Sequence, residues 1–253
     1  MNCMHLARAI SLLLIAASVA VAQQVQPTRD GEMDAGFEPI FDGRTLAGWD
    51  GDPVYWRVAD GCLVGEVTPE TILQQNSFII WRGGSVRDFE LKLEYRISPA
   101  GNSGVNYRSA PYPQTGEYAL RGYQADIDGA NRYTGQNYEE KGRTFLALRG
   151  DVARVDADGV ARIIGAVGDK DLLAAELTSE RFHQLHIIAR GNSLVHMING
   201  RVMSIVVDDD PRGRAAEGLI GVQVHVGPPM KVEYRNIRLK RLADGAAVGQ
   251  QVD

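Results

Sequence analysis

The stretch "DFELKLEYRIS" constrains the fold more than any other. Phe89, Leu91, Leu93, Tyr95 and Ile97 alternate with Glu90, Lys92, Glu94 and Arg96. A strand sends successive side chains to opposite faces, so this run has one apolar and one wet face. A helix would scatter the same residues around its axis. A single amphipathic strand cannot bury its apolar face alone and needs neighbours and a second layer. The same period returns in Arg181–Arg190 and Ser193–Ile198, which flank a Gly191-Asn192 turn, and Asn199-Gly200 marks a further tight hairpin. Lys231–Arg241 forms a last strand, and its apolar phase shifts near Asn236, which predicts a bulge. Helical periodicity is weak: Asp169–Leu177 predicts a turn or two, and Pro69–Gln75 another. Many short strands divided by Gly, Pro and Asn clusters predict an all-β sandwich or barrel.

The ends stand apart from this pattern. Residues 1–22 carry a short basic start, an apolar run from Ala9 to Val21 and a small-residue Ala20-Val21-Ala22 site, the form of a cleaved secretory signal peptide. The run is short for a membrane span. Its removal also removes Cys3, leaving Cys62 with no partner for an intramolecular disulfide. Residues 23–36 read as a flexible polar leader, 37–242 as a single domain and 243–253 as a flexible tail. The formal net charge of −5 argues against nucleic acid and anionic membrane as partners. The expected compartment is the periplasm or the exterior.

Several strands carry polar groups unlike those of a solvated face. In "GLIGVQVHVGPPM", Val222, Val224 and Val226 oppose Gly221, Gln223 and His225. In "NSGVNYRS", Val105 and Tyr107 take one face, and Asn106 and Arg108 the other. In "GYQADID", Tyr123, Ala125 and Ile127 oppose Gln124, Asp126 and Asp128. In "YEEKGR", Glu139, Glu140, Lys141 and Arg143 crowd a glycine-containing loop. Such side chains offer directional donors and acceptors suited to sugar hydroxyls. Tyr107, Tyr112, Tyr123, Tyr133 and Tyr138 offer rings for stacking on a pyranose. An imidazole with its ordinary pKa near 6.5 is a competent base or metal ligand when a carboxylate orients it, and Asp126 is the expected partner of His225. His196, in phase with Leu194 and Ile198, reads as part of a buried or edge position. No HExxH, GxSxG, cysteine cluster or phosphate-binding glycine loop is present.

Taken in order, "FEPIFDGRTLAGWDG", "YWRVADGCLVGE", "DFELKLEYRIS", "GNSGVNYRS", "GYQADI", "YEEKGR", "IIARGNSLVHMINGRVM" and "GLIGVQVHVGPPMKVEYRNIRLK" resemble the bacterial 3-keto-disaccharide hydrolase domain. The resemblance runs from about Phe37 to Lys240. It implies a concanavalin-like sandwich of two antiparallel sheets, secretion, and action on a disaccharide or glycoside already oxidised to a ketone at C3. The ketone acidifies the C2 hydrogen and lies beta to the glycosidic oxygen. A base forms an enolate, the enolate expels the C1 substituent, and water adds back. Two spaced glycosidase carboxylates are not required. A base, an enolate stabiliser and an acid are. On this resemblance Asp126 and His225 form the base pair, with His225 the proton acceptor. Arg108 stabilises the enolate oxygen, and Glu140 protonates the leaving group or clamps a hydroxyl. Gln124, Gln223, Asn102 and Asn106 orient hydroxyls, with Tyr107 and Arg143 beside them. Arg143 has pairing with Glu140 as its alternative role. A divalent ion held by Asp126, Glu140 and His225 is the alternative to Arg108, although the sequence shows no metal-ligand spacing.

Two other readings stay open at this level. A non-catalytic carbohydrate-binding module would use the same polar strands and tyrosines. A structural domain of the cell envelope would bind no sugar.

Overall fold

The computed structural model describes residues 35–243; the expected signal peptide, and nearly all of the expected leader and tail, lie outside the described residues. In chain order the strands are β1 (Glu38–Pro39), β2 (Trp49–Asp50), β3 (Trp56–Ala59), β4 (Cys62–Val67), β5 (Ser77–Val86), β6 (Phe89–Ile97), β7 (Asn102–Pro111), β8 (Leu120–Asp128), β9 (Asn137–Glu140), β10 (Thr144–Ala147), β11 (Asp151–Val155) and β12 (Ala161–Ala166). A short helix α1 (Lys170–Ala174) follows, then β13 (His183–Arg190), β14 (Ser193–Ile198), β15 (Arg201–Asp208), β16 (Gly218–Val224) and β17 (Met230–Arg241). A ten-stranded sheet runs β12-β11-β15-β14-β13-β6-β17-β4-β3, with β1 on β17, and a seven-stranded sheet runs β10-β9-β8-β7-β16-β5-β2. All pairings are antiparallel except β11 with β15, which is parallel. The molecule is the expected two-sheet sandwich. Among the described residues no helix is long and apolar enough to cross a membrane.

The alternation of β6 explains the larger sheet. Leu91, Leu93, Tyr95 and Ile97 join Leu185, Ile187, Val232 and Tyr234 in the core. On the other face Glu94 accepts from Arg235 at 2.7 Å, and Glu233 from Arg96 at 2.6 Å. The second sheet supplies Val105, Tyr107, Tyr123, Ala125, Val222 and Val224 to the same core. Asn236 adopts a φ of 51°, and the β17–β6 register shifts between Arg235 and Arg238. That is the expected bulge. Asp169 caps α1 by accepting from the Asp171 and Leu172 amides. Residues 69–75 form no helix. The Thr68 carbonyl accepts from the Thr71 amide, and Thr71 Oγ1 from the Thr68 amide, which closes one isolated turn.

The seven-stranded sheet does not stay flat. The β7–β8 register breaks between Tyr107 and Ala110, with Arg108 at a φ of 45° and Gly122 at 146°. A Cβ on Gly122 would lie 2.5 Å from Ser109 Oγ, so a side chain is barred there. Past the break the hairpin bends over the sheet's second face. Its Tyr118 carbonyl accepts from the Phe78 amide at 3.0 Å, and Leu120 packs on Phe78 and Ile80. Since β7 and β16 lie between β8 and β5, this contact curls the sheet around its own polar face.

Arg108 secures that break. The guanidinium donates to the carbonyls of Arg87 at 2.7 Å and Gly191 at 2.8 Å, and to Asp88 Oδ1 at 2.9 Å. It thereby ties the β5–β6 and β13–β14 turns together. The expectation that Arg108 shares the polar face of Asn106 is corrected: the positive φ ends the alternation and turns the side chain away. Removing one partner of a buried pair typically costs about 3–5 kcal/mol. Arg108→Ala should therefore lower the urea unfolding midpoint substantially, and an unchanged midpoint would refute this structural role.

Candidate functional site

The polar second face of the smaller sheet, at the end away from the β7–β8 hairpin, borders a cavity of about 340 Å³. Strands β7 to β10 and the segments next to β5, β9 and β16 build it. Gln124 and Asp126 come from β8, Tyr138 and Glu140 from β9, and Gln136 precedes β9. Asn102 opens β7, Asn76 precedes β5, and His225 follows β16. Tyr133, Lys141 and Phe145 complete the wall.

A directional chain of hydrogen bonds organises its floor. Gln223 Nε2 donates to Gln124 Oε1 at 3.1 Å, and Gln124 Nε2 donates to Asp126 Oδ1. Gln136 Nε2 donates to Asp126 Oδ2 at 2.7 Å. Gly104 makes room for this arrangement, since a Cβ there would meet the Gln124 side chain at 2.6 Å. Burial raises the Asp126 pKa from 3.8 to about 7, despite the two amide donors that favour the carboxylate. Burial also raises the Glu140 pKa, against opposing effects of Lys141, Asn76 and His225. Asn76 Nδ2 donates to Glu140 Oε1 at 3.3 Å, and Lys141 Nζ lies 3.8 Å from the same oxygen.

His225 lies one residue beyond the end of β16, while the strand was expected to run through it. Its partner is the Val226 carbonyl, which accepts from Nδ1. A carbonyl only accepts, so Nδ1 carries the proton and Nε2 keeps the lone pair in the neutral ring. The hydrogen bonds of Asp126 go to Gln124 and Gln136 and not to this imidazole. The two groups nonetheless line one cavity. Val226, in phase with Val222 and Val224 in the sequence, is 38% exposed, whereas those two are buried.

The remaining expected residues divide. Gln124 and Asn102 line the cavity; Gln223 supports Gln124 from below. Asn106 is fully buried with no protein partner for Oδ1 or Nδ2, and Gln223 Oε1 is likewise unpartnered. Tyr107 faces the core instead. Its ring stacks on Tyr123 at 5.6 Å, and its hydroxyl meets His196 Nε2 at 2.8 Å. His196, expected at a buried or edge position, is fully buried. Arg143 is engaged elsewhere too, with Glu139 at 2.6 Å, Asp208 at 2.7 Å and Asp210 at 3.2 Å. It does not pair with Glu140. Gln136, Asn76, Lys141 and Phe145 were not singled out as site residues. Alternation along "QNYEE" does place Gln136, Tyr138 and Glu140 on one face, whereas Asn76 gives no local signal.

Asp126, Glu140 and His225 do not make a metal centre in this arrangement. Among the described residues no group of three or more His, Cys, Asp or Glu is placed to hold an ion. Each Asp126 oxygen accepts one amide N–H and keeps a lone pair for a further partner.

A family model described as a 3-keto-alpha-glucoside-1,2-lyase-like domain matches residues 36–240. A 3-keto-disaccharide hydrolase of Bacteroides thetaiotaomicron is 34% identical over 79 residues, covering 28% of this chain and 27% of that protein. The match thus spans about a quarter of the relative. A candidate glycosyl hydrolase structure from Parabacteroides distasonis superposes with a TM-score of 0.56 at 17% identity, covering 86% of this chain and 99% of that one. The carbohydrate-binding module CBM66 of Bacillus subtilis superposes with a TM-score of 0.50 at 17% identity, covering 76% and 95%. These superpositions establish the fold, which one candidate hydrolase and one binding module share.

The buried carboxyl has a thermodynamic signature. Asp126 ionises more easily in the unfolded chain than in the cavity. Stability should therefore fall as pH rises from the ordinary value of 3.8 through about 7. Each unit of displacement corresponds to about 1.4 kcal/mol. Asp126→Asn should flatten this slope in denaturant unfolding between about pH 4 and 8. Parallel pH profiles for the two proteins would contradict the burial effect.

Proposed function

Because this chain belongs to the family of 3-keto-alpha-glucoside-1,2-lyase-like domains, we propose that it cleaves the glycosidic bond of a 3-keto-disaccharide or 3-keto-glycoside by elimination. The observation that carries this reading is a single cavity holding an imidazole with a free Nε2, two carboxyls of raised pKa and one lysine. His225 Nε2 takes the C2 proton, and the electrons of that bond form the enolate with C3. Lys141 lies beside the enolate oxygen and supplies the permanent charge once expected of Arg108. The enolate then restores the C3 carbonyl and expels the C1 oxygen, forming a C1–C2 double bond. That oxygen takes the proton from His225. Water added across the double bond completes net hydrolysis.

Asp126 and Glu140 bind the ring hydroxyls. Gln124 and Gln136 fix the Asp126 carboxyl in one orientation, which positions the sugar without cost at the moment of reaction. The aromatic rings of Tyr133, Tyr138 and Phe145 cover the apolar face of a pyranose. Secretion follows from the signal peptide expected at residues 1–22 and belongs to this same reading.

Incubation with a 3-keto-glucoside in deuterium oxide tests the scheme. Wild-type protein should release the aglycone and incorporate deuterium at C2. His225→Ala should lose both while its circular dichroism melt stays close to wild type. Lys141→Ala should lower turnover by about 10²–10³, the usual cost of one charge-stabilising donor. Binding of the sugar without turnover or exchange would favour the binding-module reading instead.

A further inference from the structure

A second cavity, of about 310 Å³, adjoins the first. The two share Asn102, Tyr133 and His225 as a common wall. Their chemistry differs. The first is lined by Gln124, Asp126, Gln136 and Glu140. The second is lined mainly by Pro99, Ala100, Ala130, Val226, Pro228 and Met230. Its carboxylate, Asp128, offers little to a ligand: the side chain is 3% exposed and Oδ1 accepts from the Arg132 amide at 2.9 Å. Arg132 lies 3.8 Å from the other Asp128 oxygen and against the Tyr133 ring at 5.5 Å.

We propose that the second cavity receives the leaving group, and that this group is a flat, mainly apolar aglycone of the aryl class rather than a second sugar. The inference rests on the reading above for which bond breaks. His225 stands on the shared wall, so the bond it acts on lies between the two cavities. The ketosugar takes the polar side, where amides and carboxyls match its hydroxyls. A second sugar on the other side would set most of its hydroxyls against proline, alanine, valine and methionine, with Arg132 and the shared Asn102, Tyr133 and His225 as the polar side chains within the lining. An aryl ring loses nothing there and gains burial. A phenolic oxygen also departs as a weaker base than a sugar alkoxide, so it needs less help from an acid. Among the lining residues of the second cavity, Asp128 is the one carboxyl, and it is already engaged.

Binding of unoxidised glucosides tests this without relying on turnover. Phenyl glucosides, methyl glucosides and a glucose disaccharide, in both anomers, would be titrated by calorimetry into wild type, Ala130→Trp and Ala100→Trp. Ala130 and Ala100 are exposed loop positions, so a tryptophan there fills the cavity mouth without entering the core. Wild type should bind the phenyl glucoside about tenfold more tightly than the other two, the scale expected from covering one ring. Ala130→Trp should remove that preference while leaving methyl glucoside binding unchanged. Equal affinities, tighter binding of the disaccharide, no binding of the phenyl glucoside, or a preference that survives both tryptophans would each overturn the inference. Failure of the elimination reading shows separately, as absent turnover of the 3-keto forms whatever the binding order.

Discussion

A carboxyl group sits beneath a curled sheet with both its oxygens met by amide N–H groups, and much of the site depends on that enclosure. In most two-sheet sandwiches the outer face of a sheet meets water. Here the β7–β8 hairpin folds back onto β5, and the polar outer-face residues Asn106, Gln124, Asp126 and Gln223 of the smaller sheet are buried as well. Water screening is weakened on both faces. Polar groups on the second face must then satisfy one another, and the chain Gln223, Gln124, Asp126, Gln136 does so in one direction. The enclosure also shifts Asp126 to about 7, because desolvation outweighs two favourable hydrogen bonds.

The enclosure carries a cost that a purely structural sheet would avoid. Asn106 is fully buried with neither amide atom partnered, and Gln223 Oε1 shares that condition. Each such group costs about 1–3 kcal/mol. An apolar residue in place of Asn106 would avoid that cost, whereas Gln223 also supplies the donor to Gln124.

Alternation made the sandwich legible, and it failed where the pleat stops. Strand β6, the β13–β14–β15 hairpins and the bulge at Asn236 follow directly from period-2 patterning and turn residues. The polar strand faces were readable too: Gln124, Asp126, Glu140 and His225 all reach one cavity. Arg108 was misplaced because a residue at a φ of 45° no longer obeys the alternation that assigns its neighbours. Arg143 was misplaced for another reason. One residue of offset separates Glu139 from Glu140, and that offset sends them to opposite faces, so the arginine follows Glu139. Asn76 was invisible because it reaches Glu140 across 64 residues of sequence, by a contact that exists only once the sheet has curled.

The reassignment of the arginines changes the electrostatics of the site. Both are consumed by structural carboxylates or carbonyls, and a fixed guanidinium held by three partners could not follow a charge that appears only during reaction. Lysine is a compact charge on a flexible stem, and Lys141 sits at a φ of 55° in the turn after β9 with its side chain 37% exposed. It can move toward a developing oxyanion. The carboxyls would oppose that oxyanion if both were ionised, since like charges in a poorly screened cavity repel strongly. Burial reduces the conflict, because it favours the neutral form of Asp126 and Glu140. A neutral carboxyl donates a hydrogen bond where an ionised one repels. The same desolvation that makes the folded protein less stable as pH rises thus leaves the cavity better suited to negative charge on its ligand.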